Sequence, residues 1–127
     1  MPDKTAAEKL KLKPGMTAAI LYAPDGVELG VPAGAPVSDD PNGADFILVF
    51  ATTQAEAEQR LTAVALFVGE KTVAWVAYPK GGKSKKLDIS RDTIWAFVRS
   101  VGLIVNANFS IDDAWSAVRV RPLRPGE

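Results

Sequence analysis

Histidine and cysteine are both absent from this 127-residue chain. Without His, the side chain that most often moves protons near neutral pH is missing, and so are the commonest neutral metal ligand and any Ser-His-Asp arrangement. Without Cys, thiol nucleophiles, disulfides and Cys/His zinc sites are excluded. Chemistry within the chain is left to Asp, Glu, Lys, Tyr, Ser and Thr. Net charge is lacking too, because 15 Lys and Arg balance 15 Asp and Glu. No global field draws the chain towards nucleic acid or an anionic membrane, so an electrostatic function has to come from local clusters. No apolar run reaches the roughly 18 residues that suggest a membrane span. The start, "MPDKTAAEKLKLKPG", has no apolar stretch of the secretory kind, which leads to the expectation of a cytoplasmic protein with no membrane partner.

What is present is an average globular composition, 47% hydrophobic and 24% charged, at the length of one domain with a real core. The expectation is a single domain over 1–127, with an N-terminal helix and lead-in loop over 1–15 and a flexible tail over 122–127. Thr5 and Glu8 fit a capping box for a helix near 6–11, ended by Pro14-Gly15. "MTAAILYA" (Met16 to Ala23) and "ADFILVFA" (Ala44 to Ala51) are continuous apolar runs of the kind seen in strands buried on both faces. Between them lie four prolines and four glycines over Pro24 to Gly43. That composition predicts irregular chain, with at most a turn of helix near Val27 to Gly30 and a short strand near Pro36 to Ser38.

Thr53 and Glu56 repeat the capping-box spacing, and Ala57, Leu61, Val64, Ala65 and Val68 predict an amphipathic helix over 54–68, stopped by Gly69. "TVAWVAY" (Thr72 to Tyr78) reads as a third buried strand. Ser90 caps a further helix whose Ile94, Val98 and Val101 share a face, with Ile89 and Ile94 placed as a hydrophobic staple and Gly102 as the stop. "LIVNANFSI" and "AWSAVRVR" read as an antiparallel pair joined at Asp112-Asp113, a connection too short for a parallel crossover. The alternation predicts an α/β fold: a mostly parallel Rossmann-like sheet flanked by helices and ending in an antiparallel strand pair.

The stretch "YPKGGKSKKLDISRDTIW" (Tyr78 to Trp95) begins where a buried parallel strand ends, the edge at which open α/β sheets bind ligands. Lys80, Lys83, Lys85 and Lys86 can attract an anion there, assisted by the N–H groups near Ser90 and Arg91 at a helix N-terminus. The ordinary role of such charges is to keep a loop solvated. "GKS" is no Walker A loop, since GxxxxGK[ST] would need glycine at Ala77. Trp75, Trp95 and Trp115 sit inside predicted elements and are expected in the core, Trp95 with the weakest claim because Phe97 shares its helix. Asp112 and Asp113 read as turn-formers. Arg119 and Arg121 lie on one strand face and are expected at a solvated sheet edge or a partner contact.

The segments "EKTVAWVAYPKG", "RDTIWAFVRSVGL" and "SIDDAWSAVRVRP", with a weaker match at "LKPGMTAAILYAP", resemble a small bacterial family of unassigned function that is similar to a reduced class I S-adenosylmethionine-dependent methyltransferase. The resemblance implies a methyltransferase-like fold. It also implies a cofactor cleft at Tyr22, Asp25 and Gly26, with Asp39 or Asp40 as the carboxylate that would hold a ribose. The first strand nevertheless runs into "YAPDGVELG", with no GxGxG or GxGxxG, and Pro24 removes a donor. Asp39 and Asp40 in "SDDPNG" are equally ordinary turn residues. The expectation is therefore no assigned catalytic residue, metal or cofactor, S-adenosylmethionine remaining possible without its glycine-rich motif. The leading expectation is a non-catalytic or degenerate domain that binds a small anionic ligand or a protein partner. The alternative is an S-adenosylmethionine- or nucleotide-binding enzyme using Asp or Lys. Nucleic acid is a poor fit, since no aromatics are interleaved with the lysines.

Overall fold

A computed structural model describes residues 6–23, 27, 29–31, 34–80, 89–111 and 114–123. The N-terminal helix α1 (Ala6–Lys9) leads to strand β1 (Ala18–Leu21), then β2 (Val37–Ser38) and β3 (Phe46–Phe50). Helix α2 (Gln54–Val64) follows, then β4 (Val73–Pro79), α3 (Arg91–Val98) and the closing strands β5 (Leu103–Ser110) and β6 (Trp115–Pro122). The six strands lie in the order β2-β1-β3-β4-β6-β5. The first four are mutually parallel, and β6 is antiparallel to both β4 and β5. The predicted α/β class, with its terminal antiparallel pair, is what the chain forms.

Burial on both faces explains the continuous apolar strands. In β3, Ile47 and Val49 turn to one side with Ala57, Leu61 and Val64 of α2 and Ile94 and Val98 of α3. Phe46, Leu48 and Phe50 turn to the other side. That second face is covered mainly by the N-terminal segment (Ala7, Leu10, Leu12) and by Leu29, with Val27, Val31 and Ala35 half-buried around them. Trp75 is buried in this layer, and its indole Nε1 donates to the Leu10 carbonyl at 2.8 Å, which ties the N-terminal segment to the centre of the sheet.

Several boundaries move for physical reasons. The helix expected over 6–11 stops at Lys9, because Lys11 adopts a left-handed φ of 73°. The Leu12 N–H bonds the Ala7 carbonyl at 2.9 Å and the Lys11 N–H bonds that of Glu8 at 3.1 Å, the paired bonds of a Schellman motif. Thr5 lies outside the described residues. Strand β1 is shorter than Met16 to Ala23, since Tyr22 also takes a left-handed φ, of 63°. Val27, Leu29 and Gly30 are not helical, whereas the weak strand near Pro36 to Ser38 is real and pairs with β1. Helix α2 ends at Val64 and tightens into a 3₁₀ turn over Ala65–Phe67.

The capping of α3 is reciprocal, but Thr93 supplies the return bond: its N–H donates to Ser90 Oγ at 3.2 Å and its Oγ1 accepts from the Ser90 N–H at 2.8 Å. Gly102, at φ 82°, closes the following turn. Of the three tryptophans, Trp75 is buried and Trp115 is half-buried edge-on to Phe50 at 5.2 Å. Trp95 departs from the core expectation at 46% exposure. The expectation of a sheet edge at Arg119 and Arg121 is also corrected. Strand β6 sits between β4 and β5, so these arginines lie in an interior strand. Among the described residues no helix is long and apolar enough to cross a membrane.

Candidate functional site

From β1 the chain steps to β2 on one side and then returns to β3 on the other, so strand order reverses between β1 and β3. Open α/β sheets bind ligands at such a switch point, outside the carboxyl ends of the strands. Here those ends deliver Tyr22 after β1 and Thr52 and Thr53 after β3. Tyr22 is 61% exposed, and a non-glycine residue held left-handed costs about 1–2 kcal/mol. Its ring is covered by Arg60 of α2, whose guanidinium carbon lies 3.9 Å from the ring centroid, a cation–π arrangement.

Arg60 is fixed from below. One Nη donates to the carbonyl of Phe50, the last residue of β3, at 2.8 Å and lies 3.5 Å from Glu56 Oε1. That carboxylate oxygen accepts from the Thr52 backbone N–H at 2.8 Å and from Thr52 Oγ1 at 2.6 Å. The Thr52 hydroxyl and backbone bonds are the main cause holding the Glu56 carboxyl below its ordinary value, with Arg60 adding to them and desolvation opposing. Thr53 caps α2 by accepting from the Glu56 N–H at 3.1 Å. The expected box is thus shifted: Glu56 reaches back to Thr52 instead of the cap residue. Sequence reasoning passed over Arg60 and Thr52. The Glu56–Arg60 spacing of four was the visible signal, but only the sheet order puts Tyr22 beside it.

The other cofactor-cleft candidates are placed as follows. Asp39 and Asp40 follow β2, next to β1, and both are exposed. Asp40 serves the turn, its Oδ1 accepting from the Asn42 N–H at 3.0 Å and its own N–H donating to Ser38 Oγ at 3.3 Å. Asp25 and Gly26 lie outside the described residues, as do Lys83, Lys85 and Lys86 and the pair Asp112-Asp113. Of the anion candidates that are described, Lys80 Nζ donates to Ser110 Oγ at 2.6 Å, Ser90 is engaged in its cap, and Arg91 lies 3.6 Å from neighbouring Asp92. These three share no partner among the described residues. Nor do acids gather there in threes that could hold a metal ion.

A S-adenosylmethionine-dependent methyltransferase from Aquifex aeolicus superposes with a TM-score of 0.57 at 13% identity, covering 91% of this chain and 87% of that one. The fold is that of the S-adenosylmethionine-dependent methyltransferases. LepI in complex with SAH and a substrate analogue gives 0.56 at 12% identity, and the neocarzinostatin O-methyltransferase NcsB1 gives 0.52 at 19%. The chain covers 39% of LepI and 34% of NcsB1, while 93% and 70% of this chain are matched. No family model and no curated protein matches the sequence. The methyltransferase-like fold implied by the sequence resemblance is therefore present. At its switch point a bound S-adenosylmethionine needs open backbone at the end of β1. In this chain the described residues there include the Tyr22 ring, with Arg60 over it.

Proposed function

We propose that this is a degenerate methyltransferase-fold domain that acts by binding, to a small anionic ligand or a protein partner, and not by methyl transfer. One observation carries the reading: at the switch point Tyr22, Arg60, Glu56 and Thr52 form a connected set of contacts, ring to guanidinium, guanidinium to carboxylate and carboxylate to Thr52. The absence of His and Cys supports it, because it leaves few groups suited to proton transfer near neutral pH. Titration calorimetry with S-adenosylmethionine, its demethylated product and ATP tests the reading. No binding heat is expected from S-adenosylmethionine or its demethylated product, whereas binding of ATP as an anion has no bearing on methyl transfer.

Micromolar affinity for either methyl-cycle ligand overturns the proposal in favour of an enzyme. Under that second reading Asp39 or Asp40, exposed where β2 ends beside β1, is the carboxylate for the ribose. Asp39→Asn and Asp40→Asn would then weaken the affinity.

A further inference from the structure

The sheet face opposite α2 and α3 carries a separate hollow of about 390 Å³, lined by Lys11, Lys13, Met16, Val73 and Arg119. Among the described residues that line it, three of five are cations and none is an acid. It lies where β4 begins and where the chain enters β1, at the opposite ends of the strands from the switch point. Its size is that of an ordinary small-molecule site.

Two of the cations are kept there at an energetic disadvantage. Arg119 stands in interior strand β6, opposite Trp75 of β4 and Ala107 of β5, where an apolar side chain would be the simpler filling. Its Nε is buried with no hydrogen-bond partner, and it forms no ion pair with any described residue. An unsatisfied buried N–H is unfavourable, and a guanidinium fork is the group that pairs bidentately with an oxyanion. Lys11 occupies the left-handed position of a Schellman motif, where glycine is the usual residue. It also borders a second hollow, of about 420 Å³, with Lys9, Phe109 and Ser110. Local structure would be served better by glycine at 11 and an apolar residue at 119, so both residues point to a charge that no described residue supplies.

We infer that Lys11, Lys13 and Arg119 form a binding site for the phosphate group of a small phosphomonoester whose apolar part rests on Met16 and Val73. Three positive charges with no ion pair among the described residues favour a dianion over a monocarboxylate. The site extends the binding-module reading without depending on it, since S-adenosylmethionine calorimetry reads the other end of the strands.

Heteronuclear NMR at constant ionic strength tests this, with phenyl phosphate, inorganic phosphate and benzoate as probes. The Trp75 indole N–H, bonded to the carbonyl next to Lys11, and the amides of Lys11 to Lys13 and Arg119 are the reporters. Saturable shifts there are expected with phenyl phosphate, weaker ones with inorganic phosphate, and at least tenfold weaker affinity for benzoate. Lys11→Gly should weaken phenyl phosphate binding at least tenfold while raising the unfolding temperature, a combination that a purely structural lysine cannot produce. Arg119→Gln should weaken binding likewise. If that variant does not fold, Lys13→Ala takes its place with the same expectation. Shifts that fail to saturate or that gather at Lys83 to Lys86, benzoate binding as tightly as phenyl phosphate, or unchanged affinity in Lys11→Gly would each overturn the inference.

Discussion

Tyr22 carries a strained backbone and a ring that covers an arginine, and the two effects oppose each other in any substitution. Tyr22→Ala keeps the left-handed strain and loses the cation–π contact, so it should destabilise by about 0.5–1 kcal/mol. Tyr22→Gly loses the same contact but relieves a penalty of about 1–2 kcal/mol. Chemical denaturation should therefore find the glycine variant more stable than the alanine variant by about 1 kcal/mol. Equal midpoints would mean that the left-handed geometry at Tyr22 is not strained. Glu56 supplies the pH-dependent member of the same cluster. Its carboxyl is held below the ordinary 4.5, so near that pH the group binds fewer protons when the chain is folded than when it is unfolded. Its stabilisation is full above 4.5 and disappears as the pH falls through the lower folded value. The stability gap between the wild type and Glu56→Gln should narrow over that window and stay constant above it. A gap that widens on acidification has the wrong sign for this network.

At the scale of elements, helix starts were the most legible feature, because a capping side chain and the backbone it serves are only three residues apart. Ser90→Ala removes the acceptor for the Thr93 N–H and should cost about 1 kcal/mol, measured by urea unfolding. No change would mean that the cap contributes nothing. The apolar strands were legible for the same local reason: burial on both faces leaves no room for alternation. What could not be read was set by partners far away in sequence. Arg119 and Arg121 look like residues of a solvated edge until β6 is seen between β4 and β5. The ends of α1 and β1 were misplaced because lysine and tyrosine hold left-handed conformations that a sequence reader reserves for glycine. The candidate site was legible in position only. The ligand-binding edge could be anticipated from strand order, but the Tyr22–Arg60 contact required the fold, and Asp25, Gly26 and Lys83 to Lys86 lie outside the described residues.

At the scale of the whole molecule, the two faces of the sheet are covered in different ways. Crossover helices α2 and α3 close one. The other relies on the N-terminal segment and Leu29, joined to the sheet at Trp75. Trp75→Phe keeps an aromatic ring but leaves a void and strands the Leu10 carbonyl, so a loss of about 2 kcal/mol is expected. Hydrogen exchange should show the Ala7 and Leu12 amides, bonded to Leu29 and Ala7, losing protection before the amides of β3. Uniform loss across both sets would mean that the two layers unfold as one unit.

The position of β6 also bears on how the chain is made. Strand β5 leaves the ribosome before β6, yet its backbone pairing to the sheet runs through β6. Until residues 115–122 have emerged, β4 keeps an open edge and β5 has no strand to pair with. Both then present unpaired backbone to any neighbouring chain. A translation product that halts between Ser110 and Trp115 would thus be a particularly aggregation-prone length of this chain.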